Sequence, residues 1–171
     1  MTIEVTGYMI RTGIETATRH RDGLVSLFKN STKKFSGEEK DDLKAISKNL
    51  EQAELNLVEL QVIQDLYNQA VVVNNPSFGG DRFTLSQAIK MVGGLSRMEK
   101  IWKDAGETTD RIYGRHDQRV EGTEYATLAV PVKESTAISE SFSKRKSTLS
   151  RLISEANGTK INMQVTDGLL E

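Results

Sequence analysis

The chain has 171 residues, and its 23 lysines and arginines nearly balance its 24 aspartates and glutamates. A nucleic-acid-binding domain is normally strongly basic, so this balance argues against sequence-specific recognition of nucleic acid. The chain contains no cysteine, which excludes disulfide bonds, thiolate metal sites and a cysteine nucleophile.

The length predicts a single domain over residues 1–171. Aromatic residues make up 6% of the chain and there are two prolines, which is typical of a helical protein. The N-terminal region carries an acid at Glu4 and has no apolar run of signal-peptide length. No stretch approaches the roughly 20 apolar residues of a membrane helix. We therefore expect a cytoplasmic protein with no membrane partner, and the missing cysteines agree with a reducing compartment.

The first predicted helix runs from Tyr8 to about Asn30. Its apolar residues fall three and four apart, on one helical face. They are Ile10, Ile14, Ala17, Leu24 and Phe28. Arg21 fills the remaining position of this face. Its guanidinium either extends to the edge of the face with its stem packed, or faces an enclosed anion.

The second predicted helix is the longest, at about 36 residues if it begins at the Ser36–Glu39 capping box and continues to Val71. Asn74, Asn75 and Pro76 follow it and stop it. Besides the stripe that starts at Leu43, its C-terminal half carries a second apolar stripe. This second stripe consists of Leu55, Val58, Val62, Ile63 and Leu66. A helix with two apolar faces needs neighbours on two sides, so we expect burial in the bundle or against another subunit.

The third predicted helix opens at a capping box formed by Thr84 and Gln87. Gly93 and Gly94 lie in its middle, which indicates a kink or a close approach by another backbone. Gly106 stands where a C-terminal cap would close the helix.

The segment RIYGRHDQRVEG, residues 111–122, carries arginines at a regular spacing. Arg111, Arg115 and Arg119 recur every fourth residue, with Tyr113 and His116 between them. Arginine offers a planar fork of donors that fits phosphate or carboxylate, and an aromatic ring beside it suits a nucleobase. The segment is therefore either a solvated loop or an anion-binding loop.

The rest of the chain is predicted as an extended segment, a fourth helix and an arm. Residues 123–132, TEYATLAVPV, are β-prone and contain a proline near their end. A helix follows from about Glu134 to Ala156, with Arg145 at one position of its apolar stripe. Asn157 and Gly158 are expected to end it in a left-handed conformation. The arm, about 159–171, is a short strand or a segment that docks on a partner. The predicted fold is thus mainly α: a helical bundle of four segments with coiled-coil-like packing, one long helix and a small extended or β element.

The order of these motifs is similar to that of the septicolysin-like family of small helical bacterial proteins. The similar phrases run from about residue 10 to residue 162 and are LVSLFKNSTKKFSGEE, LVELQVIQDLYNQAVVVNN, GGDRFTLSQAI, DRIYGRHDQRVEGTEYATLAVPV and RLISEANGTKI. The chain departs from the family where its second helix ends, with Tyr67-Asn68-Gln69-Ala70 in place of an Ile-Asn-Arg-Thr-Asn phrase. The resemblance implies a helical-bundle fold. No segment is typical of a pore-forming element.

No familiar catalytic motif is present, so we assign no catalytic residue, cofactor or metal site. The predicted function is a non-enzymatic homo-oligomer that sequesters a small anionic, nucleotide-like ligand between helices or subunits. The predicted ligand-binding residues are Arg21, Arg111, Tyr113, Arg115, His116, Arg119 and Arg145. The alternative is a structural or adaptor bundle that acts through protein–protein association only. A third possibility is phosphoester cleavage by His116 with a metal held by carboxylates.

Overall fold

The computed structural model describes residues 1–33, 42–74, 82–107 and 130–170. Helices account for 76% of these residues, which confirms the mainly-α prediction. The elements in chain order are β1 (Thr2–Val5), α1 (Gly7–Ser31), α2 (Leu43–Ala70), β2 (Val72–Asn74), β3 (Arg82–Thr84), α3 (Leu85–Glu107), α4 (Val132–Ala156) and β4 (Ile161–Gln164).

Side-chain caps set where the first two helices begin. The Thr6 hydroxyl accepts a hydrogen bond from the Met9 amide, and α1 begins at Gly7, next to its predicted start. Asp42 caps α2, since its carboxylate accepts from the amides of Lys44 at 2.9 Å and Ala45 at 3.2 Å. The helix therefore has 28 residues, and the prediction of about 36 was too long. The predicted capping box at Ser36 lies outside the described residues.

The end of α2 also differs from its prediction. The backbone turns extended at Val71, and β2 then pairs antiparallel with β3, with Val72 opposite Thr84 and Asn74 opposite Arg82. Three successive valines favour extended backbone, because a β-branched side chain loses rotamer freedom in a helix. The Thr84 capping box is confirmed: the Thr84 amide donates to Gln87 Oε1, and the Gln87 amide donates to Thr84 Oγ1.

The structure of α3 differs from two expectations: no other backbone approaches Gly93 or Gly94 closely among the described residues, and Gly106 is not a cap. The helix is unbroken through Gly93 and Gly94, and a Cβ built on either would lie no closer than 3.8 Å to a described neighbouring atom. Gly106 lies within the last turn rather than closing the helix, and there a Cβ would lie 3.2 Å from Ser135 Oγ. The small residue therefore lets α4 approach α3.

α4 ends where predicted, but the residue that follows it is not left-handed as predicted. The helix ends at Ala156, Asn157 is right-handed, and Gly168 is the glycine with positive φ in the described chain. The predicted arm forms a strand, and its partner is the chain's own N-terminus. β4 pairs antiparallel with β1, with Thr2 opposite Gln164 and Val5 opposite Ile161.

The four helices form two antiparallel hairpins, α1–α2 and α3–α4, that share one core. The shared core gathers residues from the start of α1, the end of α2, the start of α3, the end of α4 and the two small sheets. It contains Val5, Ile10, Ile63, Tyr67, Val71, Val73, Leu85, Ala88, Leu95, Leu149 and Val165. Tyr67 is its largest fully buried side chain. The Tyr67 hydroxyl is paired with the carbonyl oxygens of Ala156 and Thr159, so the polar atom is satisfied inside the core.

Polar contacts between backbone and side chain align α3 with α4. The buried Ser135 hydroxyl donates to the Trp102 carbonyl oxygen, and one turn later Ser139 donates to the Glu99 carbonyl oxygen at 3.1 Å. The Lys146 ammonium forms an ion pair with the Glu99 carboxylate. Small buried serines permit close packing here, while each hydroxyl still has an acceptor.

Candidate functional site

The two predicted arginines within the described residues lie in different hairpins. Arg21 is on α1, where its Nη1 donates to Glu54 Oε1 at 3.4 Å. Its Nε lies 2.8 Å from Asp22 Oδ1 and has no aligned hydrogen bond, so this contact is an ion pair only. The hydrogen bond to Glu54 and the charge of Asp22 raise the pKa of Arg21. Two carboxylates therefore already balance this guanidinium.

Arg145 lies on α4 with an exposed side chain. Since α1 packs mainly on α2 and α4 mainly on α3, Arg21 and Arg145 belong to different helix pairs. The other five predicted ligand residues, Arg111, Tyr113, Arg115, His116 and Arg119, lie outside the described residues.

A groove of about 540 Å³ lies between α1, α2 and the end of the chain. It is lined by Tyr8, Met9, Thr12, Gly13, Thr16, Ala17, His20, Ala53, Asn56, Leu60, Gly168, Leu169 and Leu170. On α1 the polar lining residues Thr12, Thr16 and His20 are four apart, which places them along one edge of the helix. On α2 the lining residues Ala53, Asn56 and Leu60 face them.

The C-terminal segment closes one end of this groove. Thr166 is held on α2, because its hydroxyl and amide both donate to Glu59 Oε1, at 2.6 and 3.1 Å. Gly168 then takes φ +77°, a backbone conformation that residues other than glycine rarely adopt, and the chain turns back there. A Cβ on Gly13 would lie 2.7 Å from Leu170 Cδ2, so the absent side chain of Gly13 leaves room for Leu170.

The lining is apolar at its base and polar at its rim. Gly13, Ala17, Ala53 and Leu60 are partly or fully buried, whereas Thr12, Thr16 and His20 are exposed. Within the part of the chain that the structure describes, no lysine, arginine, aspartate or glutamate lines the groove. The side chains of Thr12, Thr16 and His20 have no hydrogen-bond partner within residues 1–33, 42–74, 82–107 and 130–170. These groups are therefore available to a bound molecule.

The second stripe of α2 forms an exposed apolar surface. Of its five predicted members only Ile63 is buried, at 3% exposure. Leu55, Val58, Val62 and Leu66 are exposed by 57%, 54%, 52% and 52%. At 100° per residue they lie opposite the face that carries Leu57 and Leu60. Among the described residues, therefore, the helix meets a neighbour on one side only, and we call the four exposed residues the α2 stripe.

The described part of the chain contains no group of three or more His, Asp or Glu side chains placed to hold a metal ion. Within the same ranges, no helix has the length and apolarity needed to cross a membrane.

These observations define the protein as a mainly-α protein built from two helical hairpins on a shared core. No family model, curated protein or solved structure matches the chain. The resemblance to the septicolysin-like family therefore stays a prediction.

Sequence reasoning missed the groove, although part of its pattern is visible in the sequence. A polar row runs along the edge of the apolar face of α1, next to the small residues Gly13 and Ala17. The row consists of Thr12, Thr16 and His20. The contribution of Leu169 and Leu170 has no such signal, because the pairing of β4 with β1 places them there.

Proposed function

We propose that the protein is a non-enzymatic helical protein that works as a homo-oligomer and captures a small anionic, nucleotide-like ligand. The α2 stripe is the single observation that carries the first half of this proposal. Four large apolar side chains, each more than half exposed, lie in one row on a 28-residue helix. Contiguous exposed apolar surface of this kind marks an association site.

The spacing of the α2 stripe suits a second copy of the same chain. If two α2 helices cross antiparallel near Gln61, Leu55 faces the partner's Leu66, and Val58 faces the partner's Val62. Such a contact is isologous, because each residue meets its counterpart twice across a two-fold axis. Fully burying side chains of this size contributes roughly 1.5–3 kcal/mol each, so a half-exposed stripe leaves several kcal/mol to be gained by association.

The test compares the molar mass in solution of two lysine variants of α2 by light scattering. Val58→Lys with Val62→Lys places two charges in the middle of the α2 stripe, and we expect the mass to fall to that of one chain. Ser47→Lys is the control, because Ser47 is exposed on the same helix before the stripe begins. Its mass should equal that of the unaltered protein. An unaltered protein that is monomeric at micromolar concentration, or a double variant with unchanged mass, would overturn the proposed interface.

The proposed ligand capture depends on the arginine-rich segment 111–122. Guanidinium forks at Arg115 and Arg119 are suited to phosphate oxygens, whereas Arg21 is occupied by Glu54 and Asp22. The experiment titrates nucleoside mono- and diphosphates into the unaltered chain and into Arg115→Ala with Arg119→Ala. A ligand at a hundred times its Kd raises the stability of its binder by about 2.7 kcal/mol, which a melting curve detects. Loss of this shift at unchanged molar mass supports capture, and its absence in the unaltered chain contradicts it.

An adaptor bundle is the second candidate, and the α2 stripe favours it equally. In that case the α2 stripe binds another protein, and the arginines form ion pairs at the surface. The pairing of Arg21 with two carboxylates supports this alternative. A monomeric protein that shows no shift with any phosphate compound would favour the adaptor over the homo-oligomeric binder.

A further inference from the structure

We propose that the groove between α1 and α2 is a binding site for an uncharged planar heterocycle of the nucleobase or nucleoside kind. This inference is separate from the proposed function above. The groove uses the face of α2 that carries Ala53, Asn56 and Leu60, and the α2 stripe lies on the opposite side.

The residues described around the groove select against ions. Among them, the lining contains no lysine, arginine or carboxylate. Arg11, Arg19 and Arg21 adjoin lining residues in sequence but do not line the groove. Arg11 pairs with Glu15, and Arg21 pairs with Glu54 and Asp22. A phosphate or carboxylate placed here would lose hydration without gaining a fixed countercharge, which is costly. The ligand that this lining fits best is therefore neutral.

The hydrogen-bonding groups of the groove select against a plain hydrocarbon. The hydroxyls of Thr12 and Thr16 can donate and accept, and the imidazole of His20 offers two ring nitrogens. Asn56 Oδ1 accepts from Gln52 Nε2 at 2.9 Å, which orients the amide and leaves its NH₂ group to donate. An alkyl chain would cover these groups without pairing them, at a cost for each one left unsatisfied.

The buried part of the lining favours a molecule with apolar faces. It includes the small residues Gly13 and Ala17 of α1 and Ala53 of α2, which leave little side-chain bulk between the two helices. Leu60, Leu169 and Leu170 add apolar surface at the closed end. A ring with apolar faces and hydrogen-bonding edges contacts the leucines with its faces and the polar rim with its edges.

The experiment measures binding of four uncharged nucleosides, adenosine, guanosine, cytidine and uridine, to the full chain by saturation-transfer NMR and calorimetry. The 5′-monophosphates of the same nucleosides and decanol are tested alongside. Nucleosides and monophosphates are also titrated into Arg115→Ala with Arg119→Ala, where capture by the arginine-rich segment does not contribute. We expect at least one nucleoside to bind, its monophosphate to bind this variant more weakly than the nucleoside does, and decanol not to compete.

Three variants then locate the site. Thr16→Leu fills the groove and removes a hydroxyl, so the affinity for the nucleoside should fall about tenfold or more. Thr16→Ser keeps the hydroxyl and should stay within about twofold of the unaltered chain. Ser26→Leu makes a similar polar-to-leucine change at an exposed position of α1 outside the lining, and it should leave binding unchanged.

The proposal is overturned if no nucleoside binds, if the monophosphates bind Arg115→Ala with Arg119→Ala more tightly than the nucleosides do, if decanol displaces the nucleoside, or if Thr16→Leu binds as well as Ser26→Leu. None of these results changes the molar mass expected for the α2 stripe variants. Failure of the groove and failure of the proposed homo-oligomer are therefore distinguishable.

Discussion

The hydroxyl of Tyr67 lies 2.8 Å from the carbonyl oxygen of Thr159, which joins the end of α2 to the turn between α4 and β4. The same hydroxyl lies 3.1 Å from the carbonyl oxygen of Ala156. One buried side chain thus connects the α1–α2 hairpin to the α3–α4 hairpin. Burial raises the pKa of Tyr67, so the hydroxyl stays protonated and remains a donor.

Tyr67→Phe should destabilise the fold by about 1–3 kcal/mol, because two carbonyl oxygens lose their shared donor in a buried site. Chemical denaturation followed by far-ultraviolet circular dichroism measures the change. Tyr8→Phe is the matched control: the Tyr8 hydroxyl lies 2.7 Å from the Ser154 carbonyl oxygen, but the residue is 49% exposed. Water can replace that donor, so its loss should cost clearly less. Equal effects of the two variants would contradict the connecting role of Tyr67.

Gly7→Ala should destabilise the protein by about 1–3 kcal/mol, because the added methyl overpacks a closed site. A Cβ at Gly7 would lie 2.2 Å from Asn157 Oδ1 and 2.9 Å from Tyr67 Cε1. Gly23→Ala tests the same change on the same helix where no described atom lies within 4 Å. There alanine should stabilise by about 0.5–1 kcal/mol, since it is the better helix former. Thermal melts of both variants check the opposite signs.

Asp42→Ala should destabilise the protein by about 1 kcal/mol, because the amides of Lys44 and Ala45 lose their acceptor at the start of α2. Asp65→Ala removes the same group from an exposed position of α2 that is far from the start of the helix. It should change the free energy of unfolding by no more than about 0.5 kcal/mol. Urea titrations give both values. If Asp42→Ala is as neutral as Asp65→Ala, the helix does not begin at Leu43.

Glu99→Gln should flatten the dependence of stability on pH below about 4.5, the ordinary range for a glutamate. Hydrogen bonds from Lys146 and Ser143 lower the pKa of Glu99. A carboxyl with a depressed pKa in the folded state contributes stability above its unfolded pKa, and this contribution is lost as pH falls through the folded pKa. Denaturation midpoints from pH 7 down to 3 test this.

Glu140→Gln is the control for the acid series, because Glu140 is exposed on α4, one residue after the serine that bonds the Glu99 carbonyl oxygen. Its pH profile should follow that of the unaltered protein. A Glu99→Gln profile as steep as that of Glu140→Gln would show that the ion pair with Lys146 does not stabilise the fold.

Local signals in the sequence located most of the helices. The apolar spacing around Ile10 and Ile14 placed α1 within one residue at each end, and the Thr84–Gln87 box placed the start of α3. These features depend on residues three or four positions apart, so they are visible in the sequence without knowledge of the packing. The start of α2 was misplaced because two acceptable caps, Ser36 and Asp42, precede the same apolar repeat.

What the sequence by itself determined about this protein is its class: four amphipathic helical segments in a chain of balanced charge. Tertiary structure alone decided which chain segments meet. It paired β4 with β1, placed Leu170 against Gly13, and positioned Arg21 beside Glu54 rather than at an open anion site. Helical periodicity assigns each residue to a face, but it contains no information about contacts between residues 33, 157 or 162 positions apart. The groove and the exposed α2 stripe both depend on such contacts, and they follow from how the hairpins share one core.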